Sequence, residues 1–347
     1  MRPSALRRSG AIACASCTWL NACNGTSSYL DATGASGAHE ARLGIWLTVT
    51  ACIVVALIAI ALVAAMMRHR AAIGDRGDEA RAAGASMRNE IRGGLRWIYI
   101  GLSGTLIVLG LTFAGTMVTF GAVTHPPRSA AVIMDVTGHQ WWWEIRYTDV
   151  AHPERSFITA NEVHLPIGVP VRVMLHSADV IHSFWLPQIA GKTDVIPGQT
   201  NEMWVEARVP GTTRGMCAEY CGLEHAVMAL VVTAQPRADF DAWMRDRAAN
   251  ASVPVAPVPS QGAVVFAASC GGCHAVEGSR ALGRAGPELT HIASRATIGA
   301  GALENTPANM RRWIANAPSE KEGVRMPEMH LTGGQLDAVV AYLQQLR

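Results

Sequence analysis

The chain has 347 residues and a formal net charge of +2; half of its residues are hydrophobic, yet only 6% are aromatic. A balance so close to neutrality gives no charge-based recruitment of nucleic acid or of an acidic partner, and the length predicts two or three domains. The hydrophobic excess lies near the N-terminus, which excludes one large soluble core as its explanation. Seven of the eight cysteines fall into short-spaced groups, with Cys52 alone in an apolar run, a pattern of chemical sites more than of a disulfide framework.

Residues 1–23 carry Arg2, Arg7 and Arg8 followed by the moderately apolar stretch Ala11–Leu20, the layout of a signal peptide. Leu20-Asn21-Ala22-Cys23 resembles a bacterial lipobox, so Cys23 is a candidate for lipidation. Cys14 and Cys17 form a CxxC, but their place in a leader argues against a redox role. Leu43–Met67 has no charge and is long enough to span a bilayer, which needs about 20 residues. Trp97–Val123 forms a second such run, its glycines common in membrane helices. These two runs predict a transmembrane hairpin within residues 24–124. Residues 68–96 between them carry seven arginines against four acids. The positive-inside rule places that segment in the cytoplasm and both termini outside. Glu90, in the same segment, reads as a solvated charge.

After residue 124 the pattern changes to short strands: Ala131–Val136, Trp142–Tyr147, Phe157–His164, Val169–His176, Asn201–Val209 and Val227–Thr233. Val171, Val173 and Leu175 alternate with Arg172, Met174 and His176, the period-two signature of a half-buried strand. Glycines and prolines punctuate the runs, and several short strands at this spacing predict a β-sandwich over residues 125–247.

Near the end of that region stands Cys217-Ala218-Glu219-Tyr220-Cys221-Gly222-Leu223-Glu224-His225-Ala226-Val227-Met228. Thiolate, imidazole and thioether together are the soft donors that select copper. On this stretch alone a Cys217–Cys221 disulfide or a zinc site remains open. Gly215 and Gly222 interrupt it, so a loop feeding a strand fits better than a helix. His139, His152, His164 and His176 read as structural or exposed.

His182-Ser183-Phe184-Trp185-Leu186-Pro187, Gly191-Lys192-Thr193-Asp194-Val195-Ile196-Pro197-Gly198, the Cys217–Met228 stretch and Gly138-His139-Gln140-Trp141-Trp142-Trp143 together resemble cytochrome c oxidase subunit II in order and rough spacing. The resemblance covers roughly residues 28–245 and implies two membrane helices before a cupredoxin-like domain. It further implies a binuclear copper A centre. Cys217 and Cys221 would bridge the metals, His182 and His225 would each bind one, and Met228 and the Glu219 backbone carbonyl would be weak ligands. The Glu219 side chain would face subunit I and bind magnesium, for which a carboxylate is a suitable hard ligand. Trp141 matches the family's electron-entry tryptophan, while Trp142 and Trp143 read as packing residues. Thr213 and Met216 depart from the family pattern, and the second membrane run lacks a proline often present there.

Residues 248–262 form a Pro/Ala/Val linker, extended and semi-rigid. Cys270-Gly271-Gly272-Cys273-His274 follows, and CxxCH is the attachment signature of c-type haem: two thioethers to the porphyrin and the adjacent histidine beneath the iron. Gly262–Ser269 fits a first helix and Gly334–Leu346 a last one. Met326, before Pro327, is the favoured distal ligand, with Met310 and Met329 as competitors. Residues 263–347 thus predict a small all-α domain resembling class I cytochrome c. That resemblance also implies that the Pro287 carbonyl orients the proximal histidine. His291 and His330 read as surface or packing residues.

The whole resembles subunit II of a caa-type oxidase with a fused cytochrome c domain. The resemblance implies an extracytoplasmic electron relay to subunit I in the bacterial inner membrane, with subunit III as a further neighbour. There oxygen is reduced to water and protons are pumped. Cytochrome c or another carrier would be the donor, and no nucleic acid is involved. The alternative is a membrane-anchored copper and haem carrier, or a copper-binding protein, outside an oxidase.

Overall fold

The computed structural model describes residues 27–74, 83–126, 128–249 and 260–347. The leader, Cys14, Cys17, Cys23 and most of the linker lie outside the described residues. Two long helices, Ala35–Gly74 and Ala83–Thr124, hold the apolar runs, and neither contains a proline to break it. Both are longer than the hydrophobic runs alone predict. Much of the arginine-rich stretch is therefore helical, with only residues 75–82 between the helix ends. The windows Ala35–His69 and Gly94–Thr124 are long and apolar enough to cross a membrane. Their threonine hydroxyls donate back to carbonyls one turn earlier, as Thr48 to Gly44 and Thr105 to Gly101, which satisfies polar groups where lipid offers no partner.

The β-region is a sandwich of two five-stranded sheets. The first has β1 (Val132–His139), β2 (Trp142–Asp149), β3 (Phe157–Ala160), β5 (Val171–Ser177) and β8 (Asn201–Val205), in the order β3-β2-β1-β5-β8. The second has β4 (Glu162–Pro166), β6 (His182–Leu186), β7 (Ala190–Val195), β9 (Gly211–Cys217) and β10 (Ala229–Gln235), in the order β4-β10-β9-β6-β7. Alternate residues of β1 and β2 (Met134, Val136, Trp143, Ile145 and Tyr147) turn inward and are fully buried. Each large apolar side chain buried this way stabilises the fold by about 1.5–3 kcal/mol before entropy is counted.

The predicted strand Phe157–His164 is in fact two. Asn161 takes a left-handed conformation (φ 57°) and passes the chain from one sheet to the other. Its carbonyl accepts from Val231 N, and its side-chain oxygen accepts from Trp143 N. Strands β6, β7 and β9 have no period-two signal. β6 is buried on both faces, and β7 and β9 are rich in glycine and polar residues.

A helix, Arg237–Ala249, follows β10 and buries Phe240 and Met244 in the sandwich core. It runs through the first two residues of the expected linker, whose last two, Gln261 and Gly262, already belong to the next helix. Ahead of the first long helix, Thr33 and Gly34 donate to the Gln188 carbonyl, so this entry segment is stitched to the sandwich. A Cβ on Gly34 would meet the Ile189 carbonyl oxygen at 2.1 Å, which only glycine avoids.

The C-terminal region is built from helices Gln261–Ser269, Pro307–Ala315, Ala317–Glu320 and Gly333–Leu343. Ser260, Thr306 and Thr332 cap three of them, the last with a full capping box to Gln335. The first and last helices cross closely at Gly262, where a Cβ would lie 2.1 Å from the Ala338 carbonyl oxygen. Phe266, Met310, Ile314, Leu336 and Val339 form the core between them.

Candidate functional site

Backbone pairing brings the first site together. β6 begins at His182 and β9 ends at Cys217, and Phe184 lies opposite Cys217 in the ladder. Ala218 N donates to Ser183 O and Cys217 N to Met228 O, so the two ends of the Cys217–Met228 loop are clamped by neighbouring strands. Between them the chain is a loop with one short turn at His225–Val227, as its glycines predict.

All six expected donors meet there. Cys217 Sγ lies 3.8 Å from Cys221 Sγ, 4.0 Å from His182 Nδ1 and 3.2 Å from the Glu219 carbonyl oxygen. Cys221 Sγ lies 3.7 Å from His225 Nδ1 and 3.8 Å from Met228 Sδ. The cysteines are free thiols, which removes the disulfide alternative. His182, Cys217 and Cys221 are all buried, with ligand atoms within 4.8 Å of one another. Sulfur and imidazole donors converging on one buried point fit a soft metal such as copper.

The electrostatics are prepared for deprotonated ligands. The hydrogen bond from Cys221, with help from His182 and the backbone, pulls the Cys217 thiol down to about 3 against the opposing effect of burial. Cys221 is pushed up by that same shared proton and by burial. A bound metal would take the place of that shared proton, since thiol ligands bind metal deprotonated.

The surrounding shell includes residues that the sequence did not single out. Asp179 Oδ1 lies 2.9 Å from His182 Nε2 and leaves Nδ1 facing the sulfurs, while its Oδ2 accepts from Gln140 N. Such a carboxylate fixes a ligand histidine in position. Gln140 Nε2 and Trp141 Nε1 both donate to the Cys221 carbonyl, at 2.8 and 3.1 Å. Gly138 makes room for the His182 ring, which a Cβ would meet at 2.8 Å. An aspartate three residues before a histidine is indistinguishable in sequence from a turn former, so no local signal could have found Asp179. The Glu219 side chain is exposed and accepts from Tyr220 N.

The second site is a cavity of about 480 Å³ lined by Cys270, Cys273, His274, Trp313, Met326 and Met329, among others. His274 Nδ1 lies 2.7 Å from the Pro287 carbonyl, leaving Nε2 for an iron. Burial lowers the His274 pKa, against the raising effect of the Pro287 bond, so the imidazole is neutral and able to ligate. Gly286 packs against its ring, where a Cβ would come within 2.6 Å. Two free thiols, an oriented imidazole and thioethers around an apolar hollow fit a covalently held haem. Met326 and Met329 both reach the hollow, and so does Met310 from the helix Pro307–Ala315.

The histidine expectations divide. His152 and His330 are exposed, and His164 stacks on Trp243 with ring centroids 4.1 Å apart. His176 lies at the surface beside Asp135. His291 is buried and sits between the carbonyls of Arg247 and Arg347. His139 has a further place: it stacks on Trp142, and both line the second cavity together with Trp141. Trp142 is thus more than the packing residue expected, whereas Trp143 is a fully buried one.

Family comparison agrees with this layout. The model described as "Cytochrome C oxidase subunit II, periplasmic domain" matches residues 151–235, and the one described as "Cytochrome c" matches residues 259–347. Cytochrome c oxidase subunit 2 of Alkalihalophilus pseudofirmus is 37% identical over 256 residues, covering 73% of this chain and 72% of that relative. The protein of the same name from Bacillus sp. strain PS3 is 36% identical over 229 residues, 62% of each chain. The periplasmic domain of cytochrome oxidase subunit II from Bradyrhizobium japonicum, a solved structure, is 31% identical and covers 35% of this chain and 95% of that one, with a TM-score of 0.31. Domains of these two kinds imply copper and haem, which are the groups that the two donor sets fit. Two apolar helices, a β-sandwich with a soft-metal loop and a helical haem-type domain stand in one chain, and the protein belongs to the cytochrome c oxidase subunit 2 family, as a subunit II of a haem–copper oxidase that carries a cytochrome c domain.

Proposed function

We propose that the chain holds a binuclear copper A centre and one covalent haem c, and that it relays electrons from an external donor to subunit I. Cys217, Cys221, His182 and His225 would hold the two coppers, with Met228 and the Glu219 carbonyl as weaker ligands. Cys270 and Cys273 would hold the porphyrin, and His274 and Met326 would ligate its iron. Bound there, the two groups supply reversible one-electron storage. Oxygen reduction and proton pumping belong to subunit I, in the bacterial inner membrane, with subunit III alongside. Both soluble domains lie on the periplasmic side, and cytochrome c is the fitting donor. The division of the chain on this reading is leader 1–23, hairpin 24–124, copper domain 125–249, linker 250–260 and haem domain 261–347.

The protein's own part is orientation and exclusion of water. Asp179 holds the His182 ring, and Pro287 holds the His274 ring. Phe184, opposite Cys217 in the ladder, and Trp143, edge-on to both Phe184 and the His182 ring, are fully buried and keep water from this side of the site. Exposed Tyr220 and Leu223, beside the outward Glu219 carboxylate, form a surface suited to subunit I, where that carboxylate is available to a magnesium ion.

One observation carries the reading. Trp141 lines the haem cavity and also bonds to the carbonyl of Cys221, so one side chain touches both sites. This is the place for an electron-entry residue. Metal analysis with a pyridine haemochrome assay on the purified chain tests it. Two coppers and one haem per chain are expected; a folded chain with one copper or none overturns the copper A assignment.

A further inference from the structure

A lysine lies buried where the haem domain meets the copper domain. Lys321, at the end of the short helix Ala317–Glu320, is 3% exposed. Its Nζ donates to three backbone carbonyls: Gly299 of its own domain at 3.1 Å, and Trp141 and Val227 of the copper domain at 3.0 and 2.9 Å. Three acceptors are the full complement of an ammonium group. Lysine is rarely buried unless paired, so such a placement calls for a reason.

The surroundings supply one. Ala229 N, next to Met228, donates to Ala300 O across the same boundary at 2.9 Å. Ala300 is held at φ 59° between two glycines that are themselves left-handed, so this loop is shaped to lie flat against β10. Gly323, also left-handed, leaves room for Leu223 and Trp141, which a Cβ would approach at 3.3–3.4 Å. Farther out, Arg295 Nε lies 3.9 Å from Glu162 Oε1, and Arg247 donates to Ser294 Oγ at 2.7 Å. Of these anchors, Lys321 is the one that grips Trp141 itself, on the residue that walls the haem cavity and bonds to Cys221.

We infer that Lys321 is a positioning residue: it latches the haem domain, cavity mouth inward, onto the Trp141–Trp142 face of the copper domain. That docked face occupies the Trp141 surface. An external protein donor then delivers its electron to the haem domain and has no direct access to Trp141. The inference rests on the electron-relay reading for its purpose, but the latch itself can be tested apart from it.

The test uses the full chain within the assembled oxidase and the variant Lys321→Met, which keeps the length of the side chain and removes all three donors. Hydrogen exchange at the Ala229 amide reports docking, because its acceptor lies on the other domain. The expected result is loss of that protection, with copper and haem spectra unchanged. Electron transfer from haem to copper after rapid haem reduction is expected to slow by about tenfold or more, as when reacting partners are misplaced. Lys321→Gln, with two N–H donors, should fall between, and it serves if the Met variant does not assemble. Arg311→Gln, which breaks an exposed bridge to Asp337 on the same domain, should leave protection unchanged. Unchanged Ala229 exchange in both Lys321 variants overturns the latch. Absence of the copper or haem spectrum from the unmodified protein would instead overturn the relay reading, while the exchange result would still decide the latch.

Discussion

The copper domain and the haem domain solve the same problem, holding a redox group still, by opposite means. In the copper domain the donors already converge: strands β6, β9 and β10 fix both ends of the loop, and neighbouring sulfurs and imidazoles lie 3.7–4.0 Å apart. In the haem domain the donors stand on the walls of a 480 Å³ hollow. Its core is a ring of residues around the space that the cofactor fills, and its helices are short. The first site is prepared by the fold, whereas the second is completed by its occupant. A small domain with a hollow centre loses the packing that a solid core supplies, so the cofactor is part of its core.

The largest effect that could break this contrast is removal of the haem attachment. Cys270→Ala together with Cys273→Ala should abolish or sharply lower the calorimetric transition of the haem domain. A ligand at 1,000 times its dissociation constant adds about 4 kcal/mol to a native state, and a covalent one more. The transition of the copper domain should persist. Equal loss of both transitions would show that the two domains are not prepared differently. Next in size, Met326→Ala should convert the low-spin haem spectrum, and Met329→Ala should leave it intact. The reverse result reassigns the ligand between two methionines that both reach the hollow. The smallest effect sharpens the copper side. Asp179→Ala should lower copper affinity about 10–100-fold, the range for loss of a group that orients a metal ligand, without changing the sheet content seen by circular dichroism. No change in affinity would mean that the strands alone hold His182.

What could be read from the residues follows from how local each signal is. The CxxCH and the Cys217–Met228 stretch carry their donors within a few residues, so their chemistry is visible before any fold. The membrane runs are equally plain, since lipid demands an uninterrupted apolar length. His182 stands 35 positions before Cys217, and nothing but a resemblance joined them; in the structure that join is the β6–β9 ladder. Strands β7 and β9 escaped because glycine, threonine, lysine and arginine outnumber apolar residues there, and their place is set by neighbours, not by propensity. The helix after β10 was hidden in a charged stretch whose large apolar anchors are Phe240, Trp243 and Met244. Lys321 was invisible for a deeper reason. A lysine in a polar stretch looks like surface until three carbonyls from separate segments close around it.

The short gap between Ala249 and Ser260 has a further consequence. Ten residues separate the two described helices' flanks, and a fully extended chain of that size reaches at most about 3.6 Å per residue, or roughly 36 Å. On so short a leash the haem domain meets its dock at an effective concentration of about millimolar. A contact too weak to survive between separate proteins is then occupied much of the time. The docking face is therefore released from the need for high affinity, and it can stay small, hydrated and quick to open and close.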